Sequence, residues 1–550
     1  MIDIFQFKGE TPKLSYKLLA DNEAASAVNC ELETGRLAAG KGVSSIQDVI
    51  AGTQTTYRMT SGNFLQWTDQ VNIIKALVAD SGNRILFTGD GYPKETNASM
   101  ALTSSPYPTA TVRLGIPAPV AALTITLGGT EETDATVLRS CSYVYTLVGQ
   151  WADGSEEESA PSPPTAVLDQ MDGVTFTLSN FVDATATGAY TTHYRMYRLN
   201  SGDYGAEYQF MADITKATTE YLDEIADASL GEVIPTSDWT SPEETLSGMI
   251  ATSHGLVYGF VGNTIYPSEV FITYAYPSIY SLVVESDIVG LGFTGSMVVV
   301  LTETVPYMIS GQDPGTTSIQ RLGYQQPCVS ARSIVSLPGG VAYASSDGLF
   351  TIDDSGAGTI ITKDLFTKAQ WKALTPENIF GFYYNDSYYG FFSGTVNGFR
   401  YNFTTSIYDS LTLPQSVYGG EYCPEDDLLY LIQTKNTVRE IVSFGTGSAQ
   451  DYTWKSKGFS FSRLMAYSAG MVQGDFTAGD ISFKLYVDGV LAFTGTITND
   501  SIFRIPPKLG ILFQIEISGQ TTIDRILLGT SVNDIIEIDS DTDTTEAEDD

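Results

Sequence analysis

The sequence predicts an all-β protein: a β-propeller of about six blades, interrupted by an inserted β-sandwich and followed by a C-terminal β-rich segment and a disordered acidic tail. Three observations carry this. The composition is rich in Gly (51), Tyr (32) and Phe (26) with only 17% charged residues, which suits pleated, half-buried surfaces. Long amphipathic helical patterns are nearly absent. Tight-turn signals flanked by apolar runs recur every 40–50 residues or so, the period of propeller blades.

In chain order, Asp21 is placed to cap a short helix over Asn22–Val28, favoured by Ala24, Ala25 and Ala27. NCELETGRLAA then turns at Thr34-Gly35, and residues 55–99 hold strand pairs with turn residues at Gly89–Gly91. RLGIPAP (Arg113–Pro119) changes the style. The alternating runs after it, with an acidic Pro-rich loop DGSEEESAPSPP between two of them, fit a sandwich of about 100 residues. The run YRMYRLN, YQFMADI and TEYLDE resembles a fibronectin type III-like module. The first style resumes near Trp239, with turn centres at Gly262-Asn263, Glu303, Asp347, Val396-Asn397 and Lys435. Within Ile288–Asp353, hairpins around Thr302–Thr304 and Ser346–Gly348 read as two consecutive blades, because neither can bury a face alone. The expected domains are therefore 1–115 and 239–450 for the propeller, 116–238 for the insert, 451–530 for the C-terminal segment and 531–550 for the tail.

Net charge is −36, and it is uneven. Residues 116–238 carry 19 acidic and 4 basic residues, and residues 531–550 carry 9 acidic residues and no basic one. A basic surface that grips nucleic acid is excluded by this balance. No apolar run approaches the roughly 18 residues of a membrane span, and the N-terminal stretch is not expected to be a signal peptide. Cys30, Cys141, Cys328 and Cys423 fit no metal spacing and read as free buried thiols of a protein matured in a reducing cytoplasm.

The chemistry-bearing motifs have plain readings. Gly290, Gly292 and Gly295 match G-x-G-x-x-G, but a strand follows where a phosphate site needs a helix. Asp539, Asp541 and Asp543 imitate the start of a calcium loop, yet Thr544 stands where Gly is needed and Asp550 ends the pattern. His193 and His254, the only histidines, lack a neighbouring nucleophile motif. Asp353-Asp354, Glu425 and Glu243-Glu244 read as turn or connector carboxylates. The run Gly381–Gly394 (GFYYNDSYYGFFSG) reads as inter-sheet packing, with sugar stacking as the other reading. No catalytic, cofactor-binding or metal-binding residue is assigned, no cofactor is expected, and the protein is not expected to be an enzyme.

Several stretches resemble the nozzle or hub (tail tubular) proteins of short-tailed bacteriophages. These are FKGETPKL with LADNEAASAVNCELETGRL, YVYTL with GSEEESAPSPP, SGMIATSHGLVYGFVGNTIYPSE, IVGLGFTGSMVVVLTETVPYMISG, QQPCVSARSIVSLPGGVAYASSDGLFTI, and Thr362–Pro376. The resemblance implies a propeller subunit of a homo-oligomeric, hexameric ring in the phage tail, made in the host cytoplasm. It also implies contacts with a head-tail adaptor above and fibre or tip proteins below, with viral DNA passing through without specific binding. Two competing readings are a carbohydrate-binding or glycan-cleaving propeller, and a fibre-attachment adhesin without a channel.

Overall fold

A computed structural model describes residues 1–78, 81–184, 186–202 and 205–537. The chain is all-β, and its repeating element is the four-stranded antiparallel meander of a β-propeller blade. It divides into two compact units, one made of Met1–Thr56, Thr304–Pro306 and Gly323–Asp550, the other of Tyr57–Glu303 and Tyr307–Leu322.

The second unit holds three blades. One runs Asn72–Lys75, Ile85–Thr88, Lys94–Thr96 and Val112–Arg113. The next spans Ser247 to Val283 and turns at Gly262-Asn263, and the third spans Ile288 to Arg321. In the third blade Val298–Thr302 is buried along its whole length, as a continuous apolar run between two packed neighbours requires. The Gly290–Gly295 stretch is strand and turn: Ile288–Phe293 pairs with Val298–Thr302, and Gly295 takes a positive φ of 108°. The insert lies in the same unit. Its strands from Thr124 to Asp223 make their sheets with one another, as two-, three- and four-stranded pieces, around Tyr143, Tyr145, Phe176, Leu178 and Met196.

The first unit holds a blade from Val335 to Ile360 and another from Ile379 to Tyr408 and beyond. Strand Tyr408–Cys423 then continues into a third blade with Leu428–Lys435 and Val438–Ala449, and this blade is completed by Lys41–Val49 from the start of the chain. The turn expected at Val396-Asn397 falls inside strand Thr395–Asn402. The chain reverses instead at Asn385-Asp386, both at positive φ, and at Gly394. Asn and Asp tolerate left-handed backbone, so the apolar residues flanking a mid-strand Asn were the weaker signal.

Residues 1–40 depart from the propeller expected for 1–115. Ile2–Phe5 pairs with Thr522–Gly529, and Ala24–Val28 pairs with Tyr452–Ser456, so both join the C-terminal sandwich. Ile2, Ile4, Phe7, Ala24 and Ala27 are buried there with Trp454, Phe483, Ile515 and Ile526. The alternation of IDIF makes a half-buried strand, but a partner more than 500 residues away leaves no local trace. Ala24–Val28 is a strand where a helix was expected: its alanines let the backbone approach the sandwich core, and packing overrides their helical propensity. The stretch expected as a disordered tail from 531 is ordered at its start, since residues 532–537 are helical and Ile535 is buried. Asp534 accepts the Thr530 and Ser531 N–H groups at 2.9 and 3.2 Å. Asp539, Asp541, Asp543, Thr544 and Asp550 lie outside the described residues.

Candidate functional site

The tyrosine hairpin Ile379–Tyr384/Ser387–Phe392 sends its side chains to different places. Phe380, Phe391 and Tyr389 pack with Leu429, Leu431 and Phe444, whereas Tyr388 and Phe392 pack with Trp371 and Phe399 on the other face. Packing is therefore its main use. Tyr384 and Tyr389, however, also wall a cavity of about 360 Å³ inside the first unit. Their ring centroids lie 6.0 Å apart, and Tyr389 meets Phe444 edge-on at 5.4 Å. Leu411 and Leu413 extend this apolar wall, and Glu31, Glu33, Lys41 and Gln450 line the polar side.

Arg400 forms the back of the cavity and is only 4% exposed. It faces Asp409 directly across the antiparallel ladder. Its Nε donates to Asp409 at 2.9 Å, one terminal nitrogen to Glu31 at 2.6 Å and the other to the Cys30 carbonyl at 2.7 Å. Each of the three guanidinium nitrogens thus helps to hold the cavity wall. Asp409 Oδ2 has no hydrogen-bond donor, and burial pushes the Asp409 carboxyl up to about 7 against the pull of Arg400. Glu10, which accepts the Ala27 N–H at 2.7 Å, is likewise pushed up to about 7 by burial. Cys30, beside them, is buried and its thiol is pushed well up, first by burial and then by Asp409. Cys30, Cys141, Cys328 and Cys423 are all free and buried.

A second charge centre lies in the other unit, where Arg84 of a blade meets the insert. Its guanidinium lies 4.8 Å over Trp151, 3.8 Å from Glu95 and 3.6 Å from Glu157. Glu95 and Glu157 are both sealed from solvent, and burial raises both carboxyls against the pull of Arg84. A third centre spans the two faces of the insert. Arg198 donates twice to Asp223, at 2.6 and 2.8 Å, and the Tyr143 hydroxyl donates to the same carboxylate at 2.6 Å. Arg198 and Asp223 are 1% and 0% exposed.

The other singled-out residues have structural places. His193 Nδ1 lies 3.0 Å from the Thr192 hydroxyl and its Nε2 3.8 Å from Asp213. His254 sits half-buried in a turn. Asp353 receives the Ser355 and Ala357 N–H groups in its own turn, Glu244 makes a two-pronged pair with Arg113, and Glu425 accepts from the Cys423 thiol. Sequence reading missed the Arg400–Asp409 pair. The available signal was an Arg and an Asp at equal distances from the turn in FRYNFTTSIYD.

One surface also stands out. In the C-terminal sandwich, Leu464, Val490, Leu491, Leu509 and Ile511 are exposed by 47–65%. They gather at one end, because Met465 pairs with Gly510 and the Asp488 carboxylate accepts the Ile511 and Leu512 N–H groups. Among the described residues, Val490–Ile497 pairs on one side only, with Ile481–Val487, and so is an edge strand.

No protein-family model and no curated protein matches the sequence. Among solved structures, the chain is similar to BBS1N in complex with ARL6DN (11% identity, TM-score 0.31, covering 74% of this chain and 99% of that one). It is also similar to the WD40 domain of Toxoplasma gondii coronin (8%, 0.26, 60% and 88%). A third is the exo-beta-1,3-galactanase of Phanerochaete chrysosporium with galactose (10%, 0.20, 88% and 100%). Likenesses at these TM-scores transfer no site and no activity to this chain.

Proposed function

We propose that the chain is a structural protein of a bacteriophage virion, the subunit of an oligomeric tail nozzle ring that extends the DNA-ejection channel. In this reading it acts in the phage tail without a catalytic step, and contacts an adaptor on one side and fibre or tip proteins on the other. The observation that carries the reading is the open edge strand Val490–Ile497 beside the apolar end of the C-terminal sandwich. Unpaired strand edges and exposed apolar clusters on a strongly charged chain call for a protein partner, and a second copy of the chain meets both needs.

Charge supports the second half of the proposal. Duplex DNA slides past a wall only if few cations are free to release its counterions. Here 29 basic residues face 65 acidic ones. Arg36, Arg113, Arg195, Arg198, Arg400 and Arg525 are further occupied by carboxylates.

Imaging of the purified chain under assembly conditions tests this. Six-fold rings with a hole wide enough for duplex DNA, and no retention of duplex DNA at low salt, are expected. A persistent monomer contradicts the ring. A trimer without a channel supports the fibre-attachment adhesin, and glycan turnover abolished by changing a single carboxylate supports the glycan-cleaving alternative.

A further inference from the structure

The cavity beside Tyr384 lies between the tyrosine hairpin and the residues that lead into strand Lys41–Val49. About 360 Å³ is left between an aromatic wall and a polar rim. That volume lies in the range of small-ligand sites. The back of the site is rigid, because Arg400 is fixed by three partners and the Asn29 amide is bonded both ways to the backbone of Thr412.

The groups left over define the ligand. Glu31 Oε2 accepts from Arg400, while Oε1 lies on the cavity side near Gly40. Lys41 is exposed on the rim, and among the described residues neither its ammonium nor the Tyr384 hydroxyl has a partner in the protein. Carboxylates at Glu31 and Glu33, with Asp409 behind them, disfavour phosphate and carboxylate ligands. A single ammonium beside two carboxylates gives no strong attraction for either sign of net charge. A polyol matches such a rim, because each hydroxyl both donates and accepts. The rings of Tyr384, Tyr389 and Phe444 offer an apolar face of the kind that covers the C–H side of a sugar.

We propose that this cavity binds one sugar residue of a neutral glycan, with its C–H face on Tyr384 and Tyr389 and its hydroxyls on Glu31 and Lys41. The proposal stands independently of the nozzle reading, since a ring-forming subunit and a monomer present the same cavity.

Saturation-transfer NMR on the full chain tests it, with the methyl glycosides of glucose, galactose, mannose, rhamnose and N-acetylglucosamine as probes. At least one is expected to receive transfer through its ring protons. Tyr384→Ala is expected to weaken that glycoside about tenfold, the equivalent of about 1.4 kcal/mol. Lys41→Ala, at an exposed position that leaves folding intact, is expected to weaken it severalfold. Transfer to none of the five glycosides overturns the proposal. So does transfer unchanged in Lys41→Ala and in a Tyr384→Ala chain that keeps its near-ultraviolet dichroism.

Discussion

Two buried arginine–aspartate pairs, one in each unit, use the same chemistry to different ends. Arg198 and Asp223 close the insert from inside. Tyr143 and the Ile225 N–H add donors to the carboxylate at 2.6 and 3.1 Å, and Arg139 approaches it at 3.5 Å. Arg400 and Asp409 are as well buried, but their neighbour Glu31 is 46% exposed and faces a cavity. Asp409 has one donor on Oδ1 and none on Oδ2. A buried carboxylate surrounded by donors locks two sheets together, whereas one left half-satisfied is a group whose charge responds to its surroundings.

The largest expected effect breaks the closed pair. Asp223→Ala leaves the buried Arg198 guanidinium with Asp227 as its one carboxylate and takes the acceptor from Tyr143 and the Ile225 N–H, and is expected to cost the insert about 3–5 kcal/mol. Hydrogen exchange over Tyr143–Gln150 and His193–Gly202 reads this, and unchanged protection there would refute the closed-lock account. Asp409→Ala is expected to cost less, about 2–3 kcal/mol, because Arg400 keeps Glu31 and the Cys30 carbonyl. A loss equal to that of Asp223→Ala, measured by urea unfolding, would erase the distinction between the two pairs.

Titration sharpens the comparison further. Burial holds the Glu10 and Asp409 carboxyls at about 7 in the folded chain, against 4.5 and 3.8 for the free groups. Between these values the native state binds more protons than the unfolded state, so stability falls as pH rises through about 4 to 7 and is highest on the acid side of that window. Glu10→Gln keeps an acceptor for the Ala27 N–H without the charge. It is expected to flatten this slope and to raise stability by about 1–2 kcal/mol at pH 8, with little change at pH 4. An unaltered slope would show that Glu10 is not the titrating group. The smallest effect is expected at the surface, where Arg36 and Asp524 are each 47% exposed. Arg36→Ala should change the unfolding free energy by no more than about 1 kcal/mol, and less at high salt.

What could be read from the sequence divides along the same physical line. Blade hairpins such as Val298–Thr302 with Tyr307–Ser310, and Gly340–Ala344 with Leu349–Asp353, were legible because turn residues and apolar runs are local. The placement of Ile2–Phe5 and Ala24–Val28 in the C-terminal sandwich was not, because strand pairing over hundreds of residues leaves only the alternation of each partner. The cavity was half legible. The tyrosine run announced aromatic packing, but that two of its rings are shared with Arg400, Glu31 and Lys41 depends on how a hairpin, the segment after Ala24 and strand Lys41–Val49 converge.

The pairing of Ile2–Phe5 with Thr522–Gly529 also sets an order of events during synthesis. Ile2–Phe5 leaves the ribosome long before its partner Thr522–Gly529, and Lys41–Val49 must wait for Val438–Ala449 before its blade can close. Contacts of such sequence separation form late and slowly. Until the strands of the C-terminal sandwich are made, the apolar side chains of Ile2, Ile4 and Phe7 lack the core in which they are buried. Chains interrupted before Thr522 would therefore leave Ile2–Phe5 without its pairing strand.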